Sequence, residues 1–433
     1  MSASSSHARN RHPARPVDPA SYTPGFSYRG SHLFCEGVAV DRIAEKFGTP
    51  AYLYSRASIE QAYRRMDSAF GSLPHTICYA VKANSNLGIL RVFAAMGSGF
   101  DIVSGGELYR LRRIGVPGNR IVFSGVGKTR EEIREALRAR ILLFNVESPA
   151  ELELLASEAS RMRVRASTSI RVNPDVKAGG HPHISTGHHR HKFGIDWDGA
   201  RSLYLQHRDS PWIEWQGISA HIGSQILTLA PYRRALSRLA GFVRELGRNG
   251  IHLKYLDAGG GLGIRYTGEQ PPDMRSYAAE LARAVRPLGC HLLIEPGRSL
   301  IGPAGVLLMR VIYTKPNRGK NFVIVDAAMN DFMRPVLYGA THPITGVRKK
   351  SSALERADIV GPVCETGDCF VQDWPLGEVS SGDVLILWGA GAYGFVESSN
   401  YNSRPRPVEA LVSGTRVEVI RRRESRADLV RGE

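Results

Sequence analysis

Between residues 51 and 303 the chain repeatedly sets a short apolar run ahead of a helix-length amphipathic segment. The runs at 77–81, 99–102, 120–123, 141–144, 166–171, 216–220, 255–257 and 291–294 have the length and polarity of buried strands. The segments between them read as helices. Residues 131–139 and 150–160 repeat apolar positions at helical spacing, and Ser148-Pro149-Ala150-Glu151 supplies a cap, an early proline and a first-turn acid. Parallel strands need helical crossovers, so this eightfold alternation predicts a (β/α)8 barrel with its site at the C-terminal ends of the strands.

After Gly305 the pattern changes. Valine-rich runs at 306–313, 321–326, 357–360 and 383–388, separated by Gly, Pro and Asp, predict an antiparallel β domain. The region 34–54 is strand-forming or connecting material. The expected organisation is therefore a basic disordered tail over 1–29, a segment over 30–54 joining the β domain, a barrel over 55–305, and a β domain over 306–433.

The polar residues test the barrel. Lys82 follows the first run and Asp101-Ile102-Val103-Ser104 ends the second, while Arg171-Val172-Asn173-Pro174 closes the fifth. His221 to Gln225, Gly259-Gly260-Gly261 and Glu295-Pro296-Gly297-Arg298 follow the sixth, seventh and eighth. The barrel topology brings all of them to one face. Lys82, at the end of an apolar strand, is either a snorkelling cation or an amine held for covalent chemistry; a desolvated lysine can form a Schiff base, as with pyridoxal phosphate. The glycine run is either a plain tight turn or a phosphate loop, and it is no dinucleotide fingerprint because Ile264 stands where the last glycine would fall. With Gly297-Arg298 at the neighbouring strand end, phosphate binding is the better use of both loops. Glu295 is either a cap or ion-pair partner, or a carboxylate that keeps a pyridine nitrogen protonated. His221 either packs as a core histidine or stacks on an aromatic cofactor.

Composition narrows the class. Hydrophobic residues make up 42% and charged residues 23%, with no apolar run near the roughly 18 residues of a membrane span. The net charge of +16 is spread along predicted helices, apart from the N-terminus and Arg421-Arg422-Arg423, and no nucleic-acid recognition motif accompanies it. Attraction of anionic ligands explains it better. Five cysteines without paired spacing suggest neither disulfides nor zinc, and a reducing cytoplasm. The first 20 residues lack the apolar segment of a secretory signal.

Seven ordered segments carry a resemblance: YAVKAN (79–84), HIGSQI (221–226), GGGLGI (259–264), EPGRSLIG (295–302), MNDFMRPVLYG (329–339), GPVCETGDCF (361–370) and GAYGFVESSNYNSRPR (391–406). Together they resemble the diaminopimelate decarboxylase family of fold-type III pyridoxal-phosphate enzymes over roughly residues 30 to 415. The resemblance implies an alanine-racemase-like barrel with a C-terminal β domain, and a homodimer whose sites combine residues of both subunits. It implies that Lys82 forms the Schiff base with pyridoxal 5'-phosphate, that His221 lies against the ring, and that Glu295 pairs with the ring nitrogen. Ser224, Gly259, Gly260, Gly261, Pro296, Gly297 and Arg298 would surround the phosphate. Cys364 would be the proton donor across the dimer interface. For a substrate with an amino-acid group at each end, Arg298, Arg334 and Tyr338 would hold the distal carboxylate, Glu365 would take the distal ammonium, and Tyr393 would touch cofactor or substrate.

Two stretches depart from the family pattern. His181, His183, His188, His189 and His191 crowd the loop before Lys192-Phe193-Gly194; a solvated or substrate-proximal loop is expected there rather than a metal site. Trp388-Gly389-Ala390-Gly391 lacks an aspartate that often precedes the alanine. The rival readings are a decarboxylase of another diamino acid or of a carrier-bound glutamyl group, a racemase, and a non-catalytic binding homologue. Lys82→Ala is expected to abolish both turnover and the visible Schiff-base absorbance of the cofactor-loaded protein; near-normal turnover would remove Lys82 from the chemistry.

Overall fold

The computed structural model describes residues 18–176, 192–350 and 353–433. Eight parallel strands close into a barrel: His75–Ala80, Gly99–Ile102, Ile121–Phe123, Leu143–Val146, Ala166–Arg171, Ile213–Ser219, Tyr255–Asp257 and His291–Ile294. Closure occurs between the last and the first, with Ile294 beside Ile77. Helices cross between most of them, and the cap read at Ser148 is real: its side chain accepts from Glu151 N at the start of helix Pro149–Met162.

Strand boundaries moved where a helix end competed for an apolar residue. The fourth strand begins at Leu143, not at 141. Arg140 turns left-handed at the end of helix Arg130–Ala139, and Ile141 N bonds back to the Ala136 carbonyl, so Ile141 closes the helix rather than opening the strand. The strand consequently runs on to Val146 and contains Asn145. The first strand stops at Ala80, and a 3-10 turn over Val81–Ala83 carries Lys82.

The second unit is a nine-stranded sheet built mainly of antiparallel pairs. Gly305–Asn317 is its long central strand, pairing antiparallel with Lys320–Val325, Val384–Leu387 and Ala51–Ser55. Two pairs are parallel, Ala51–Ser55 with Val408–Ser413 and Lys320–Val325 with Glu355–Val360, so the sheet is mixed rather than purely antiparallel. The tail expected over 1–29 is shorter at its end: Pro19–Tyr22 forms a turn and Phe26–Arg29 pairs with His32–Cys35. An apolar anchor explains this, since Phe26 is buried edge-on against Trp388. Among the described residues no helix is long and apolar enough to cross a membrane.

The sheet grips the barrel at the Lys82 turn. Asn84 Nδ2 donates to the Gly391 carbonyl at 3.2 Å, and Tyr393 N donates to the Ala83 carbonyl at 2.9 Å. Below them the fully buried Glu409 accepts from Tyr54 Oη at 2.8 Å and Asn86 Nδ2 at 2.7 Å, and pairs with Arg421. Removing this carboxylate leaves three donors facing a cavity. Glu409→Ala is therefore expected to destabilise the protein by about 3 kcal/mol, read as a lower midpoint of urea denaturation. An unchanged midpoint would show that this latch contributes nothing net.

Candidate active site

Lys82 reaches the barrel mouth from a braced turn. Tyr79 is fully buried, stacks on Phe93 with centroids 3.9 Å apart, and donates its hydroxyl to the Asn84 carbonyl at 3.0 Å. The Lys82 ammonium donates to the carboxylate of Asp101, on the second strand, and 35% of its side chain remains open to the cleft. Burial works against its charge, but Asp101 and Glu295 outweigh that cost and raise its pKa. Asp101 is wholly buried, and its second oxygen has no hydrogen-bond partner among the described residues.

Behind Lys82 lies a carboxyl cluster. Glu295 directly follows the eighth strand and Asp257 ends the seventh, and the two hydrogen-bond to each other. Asn145 Nδ2 approaches Asp257 Oδ2 at 3.1 Å and Glu295 Oε1 at 3.4 Å, and Ser124 Oγ donates to the same Glu295 oxygen at 3.2 Å. Burial, then the charges of Asp101 and Asp257, push the Glu295 pKa well above the carboxylate range. Burial also raises that of Asp257, so the pair shares a proton rather than carrying two charges.

The glycine loops adjoin this cluster, with Gly259 N donating to Asp257 Oδ1 at 2.9 Å. Gly261 has φ +99°, and a Cβ on Gly260 would lie 2.1 Å from the Glu295 carbonyl oxygen, so side chains are excluded where the seventh and eighth strand ends meet. Gly260 N donates to His221 Nδ1 at 3.1 Å, which leaves the His221 proton on Nε2. Burial, with Arg171 and Lys82 nearby, drives the His221 pKa well below 6.5 and keeps the ring neutral. Pro296 gives its carbonyl to Ala80 N at 3.1 Å, tying the eighth strand end to the Lys82 turn. Arg298 donates to Ser224 Oγ from Nη2 at 3.1 Å and to Tyr266 Oη from Nη1 at 2.6 Å, and its guanidinium lies 4.7 Å from the Tyr393 ring centroid.

Arg334 completes the pocket from helix Arg334–Tyr338 of the β domain. It is buried, not a surface ion pair, and lies over the rings of Tyr266 and Tyr338 at 5.6 and 5.4 Å. Glu397 shares this space: it hydrogen-bonds Tyr338, feels both arginines, and its pKa is raised by burial. Two guanidinium charges against one carboxylate leave room for one more anion.

The sequence reading missed Asn145, Asp257, Tyr266 and Glu397 as members of this group. Asp257 directly precedes the glycine loop and Glu397 follows Tyr393 by four residues, so proximity to a motif was the available signal. Asn145 had none, because its strand was ended two residues too early.

Residues 56–302 match the family of pyridoxal-dependent decarboxylases over their pyridoxal-binding domain. The chain is 50% identical over 408 residues to a diaminopimelate decarboxylase of Pseudomonas aeruginosa, covering 94% of this chain and 98% of that one. The chain belongs to the diaminopimelate decarboxylase family. Solved structures agree: the enzyme of Helicobacter pylori complexed with L-lysine superposes with a TM-score of 0.88 at 41% identity, over 90% of this chain and 98% of that one. The M. jannaschii enzyme in co-complex with L-lysine gives 0.90 at 37%, over 94% and 97%.

The residues fit the cofactor of this family, pyridoxal phosphate. An amine open to the cleft, a buried carboxyl group, and a hydroxyl and guanidinium beside side-chain-free loops are the donor set it requires. A Cβ on Gly297 would crowd Ala83 Cβ at 2.8 Å and stand 3.5 Å from Tyr393 Oη, so glycine keeps that wall thin. Cys364 and Glu365 do not join the cluster within one chain of this diaminopimelate decarboxylase family member. Both are exposed; Cys364 N donates to Asn402 Oδ1 at 3.2 Å, and the Glu365 carboxylate accepts from Tyr401 Oη. The histidines at 181–191 lie outside the described residues; among the described ones no group of His, Cys, Asp and Glu could hold a metal.

Proposed function

We propose that the chain decarboxylates meso-2,6-diaminopimelate to L-lysine and carbon dioxide, using pyridoxal 5'-phosphate, as the last step of lysine biosynthesis. The observation that carries this reading is the buried Arg334, which lies over the rings of Tyr338 and Tyr266, the latter hydrogen-bonded by Arg298. A diamine-forming decarboxylase acting on ornithine has no distal carboxylate for such a receptor. The five free cysteines suit a reducing cytoplasm.

Pyridoxal phosphate, when bound, supplies the electron sink for the pair left behind by the departing carboxylate. Lys82 supplies the amine that attaches it. Glu295 would hold the proton at the ring nitrogen, with Asn145, Ser124 and Asp257 fixing its carboxyl group. His221, neutral and locked by Gly260 N, would lie against the ring face without adding a charge. Ser224, Gly259 to Gly261 and Gly297-Arg298 would hold the phosphate. Arg334 and Tyr338, with Arg298, would orient the substrate by its distal carboxylate, so that the scissile bond stands perpendicular to the ring.

Cys364 and Glu365 have their use in a second copy. Val336, Leu337, Val396 and Tyr401 are exposed apolar residues of the same chain. Tyr401 bonds Glu365 itself, and Gly367 stands beside Val336. This apolar surface around the 364–365 loop is the face on which a homodimer would form, delivering Cys364 as proton donor and Glu365 as the receptor for the distal ammonium into the opposite site.

Carbon dioxide release should be substantial from meso-diaminopimelate and at least about a hundredfold slower from ornithine, arginine or lysine. Preference for any of those three would overturn the substrate. Equal amounts of inactive Lys82→Ala and Cys364→Ala chains, mixed to exchange subunits, should recover about a quarter of wild-type activity, since half the dimers then hold one intact site. Absence of recovery after demonstrated exchange would place both residues in one subunit's site.

A further inference from the structure

We infer that His342 is a positioning residue: by accepting a hydrogen bond from Arg334 Nε–H it sets the guanidinium fork that recognises the distal carboxylate. The inference rests on the reading of the distal pocket given above. His342 has no exposed surface, and nothing in the sequence motifs marks it as functional.

Its hydrogen bonds determine its tautomer. Nδ1 lies 2.9 Å from the Trp388 carbonyl oxygen, which can only accept, so the ring proton is on Nδ1. Nε2 is left with its lone pair, and Arg334 Nε donates to it at 3.3 Å. Tyr266 and Phe332 meet the imidazole edge-on at 4.6 and 4.7 Å and block its rotation. Burial, with the Arg334 and Arg298 cations beside it, pushes its pKa well below 6.5, so it stays an acceptor.

The consequence differs for the two arginines. Arg298 has all three nitrogens engaged, Nε and Nη2 by Ser224 and Nη1 by Tyr266. Arg334 spends only Nε, on His342; among the described residues its Nη1 and Nη2 make no hydrogen bond. A guanidinium held by Nε presents its Nη edge as a two-pronged receptor for a carboxylate. Arg334 is thus the principal carboxylate receptor, and Arg298 chiefly joins the Ser224 side to Tyr266.

Two substitutions separate this role from mere packing. His342→Leu keeps the bulk and removes the acceptor, whereas His342→Gln keeps an acceptor within reach of Arg334. With meso-diaminopimelate, His342→Leu should raise KM about tenfold with a much smaller change in kcat, and His342→Gln should stay within about threefold of wild type. Absorbance titration of the cofactor-loaded proteins gives a readout without turnover. L-Lysine, which keeps the distal carboxylate, should bind about tenfold more weakly to His342→Leu, while cadaverine, which has no carboxylate, should bind all three proteins alike. Equal weakening by both substitutions, a loss confined to kcat, or parallel weakening of cadaverine overturns the inference. Failure of the wild type to release carbon dioxide from meso-diaminopimelate would overturn the proposed function instead, and the L-lysine and cadaverine titrations would still decide the role of His342.

Discussion

The site is organised around one ammonium in the field of buried carboxyl groups. Asp101 and Asp257 lie at the ends of the second and seventh strands and Glu295 directly follows the eighth, all with almost no exposed surface, and Lys82 is the cation closest to Asp101. Three ionised carboxylates could not share so dry a space. The structure resolves the conflict by pairing Lys82 with Asp101 and by letting Glu295 and Asp257 share a proton under the amide of Asn145. With its pKa raised by burial, Glu295 depends on a cationic partner for its charged form, which a protonated ring nitrogen would supply under the proposed function.

This arrangement depends on Lys82 staying where it is, and the second domain secures that. The turn over Val81–Ala83 is held from the barrel by Tyr79 and Pro296 and from the sheet by Gly391 and Tyr393. Strand Ala51–Ser55 carries the N-terminal segment into the same sheet, between the strands at Gly305–Asn317 and Val408–Ser413, so the chain enters the barrel already anchored. The β domain is therefore part of the catalytic frame. It also contributes Arg334, Tyr338 and Glu397, which gather beside Arg298 and, in the proposed function, would face the far end of the substrate.

In the proposed function, substrate choice and chemistry would be divided between the two units. The barrel ends would hold the cofactor, and the pocket walled by the β domain would read the charge of what is attached. Arg334 is packed by aromatic rings and a neutral imidazole, which support a guanidinium without neutralising it, and Glu397 is a single carboxylate set against both arginines.

Strand and helix alternation, the glycine loops and the identity of Lys82, His221, Glu295 and Arg298 were readable along the chain, because periodicity and motif spacing are local properties. The eight strands were found with small shifts, and the shift at Ile141 arose because an apolar residue can close a helix as well as open a strand. That slip hid Asn145. Asp257, Tyr266, His342 and Glu397 were invisible for a different reason: they come from separate strand ends and loops, and only barrel closure and domain packing bring Asp257 to Glu295 and Asn145, and Tyr266, His342 and Glu397 around the two arginines. The exposure of Cys364 and Glu365 in one chain is likewise a property of the folded surface. The sequence by itself determined which chemical groups the protein owns and the order in which they occur; the tertiary structure decided which of them meet, because proximity across a closed barrel is set by the packing of distant segments.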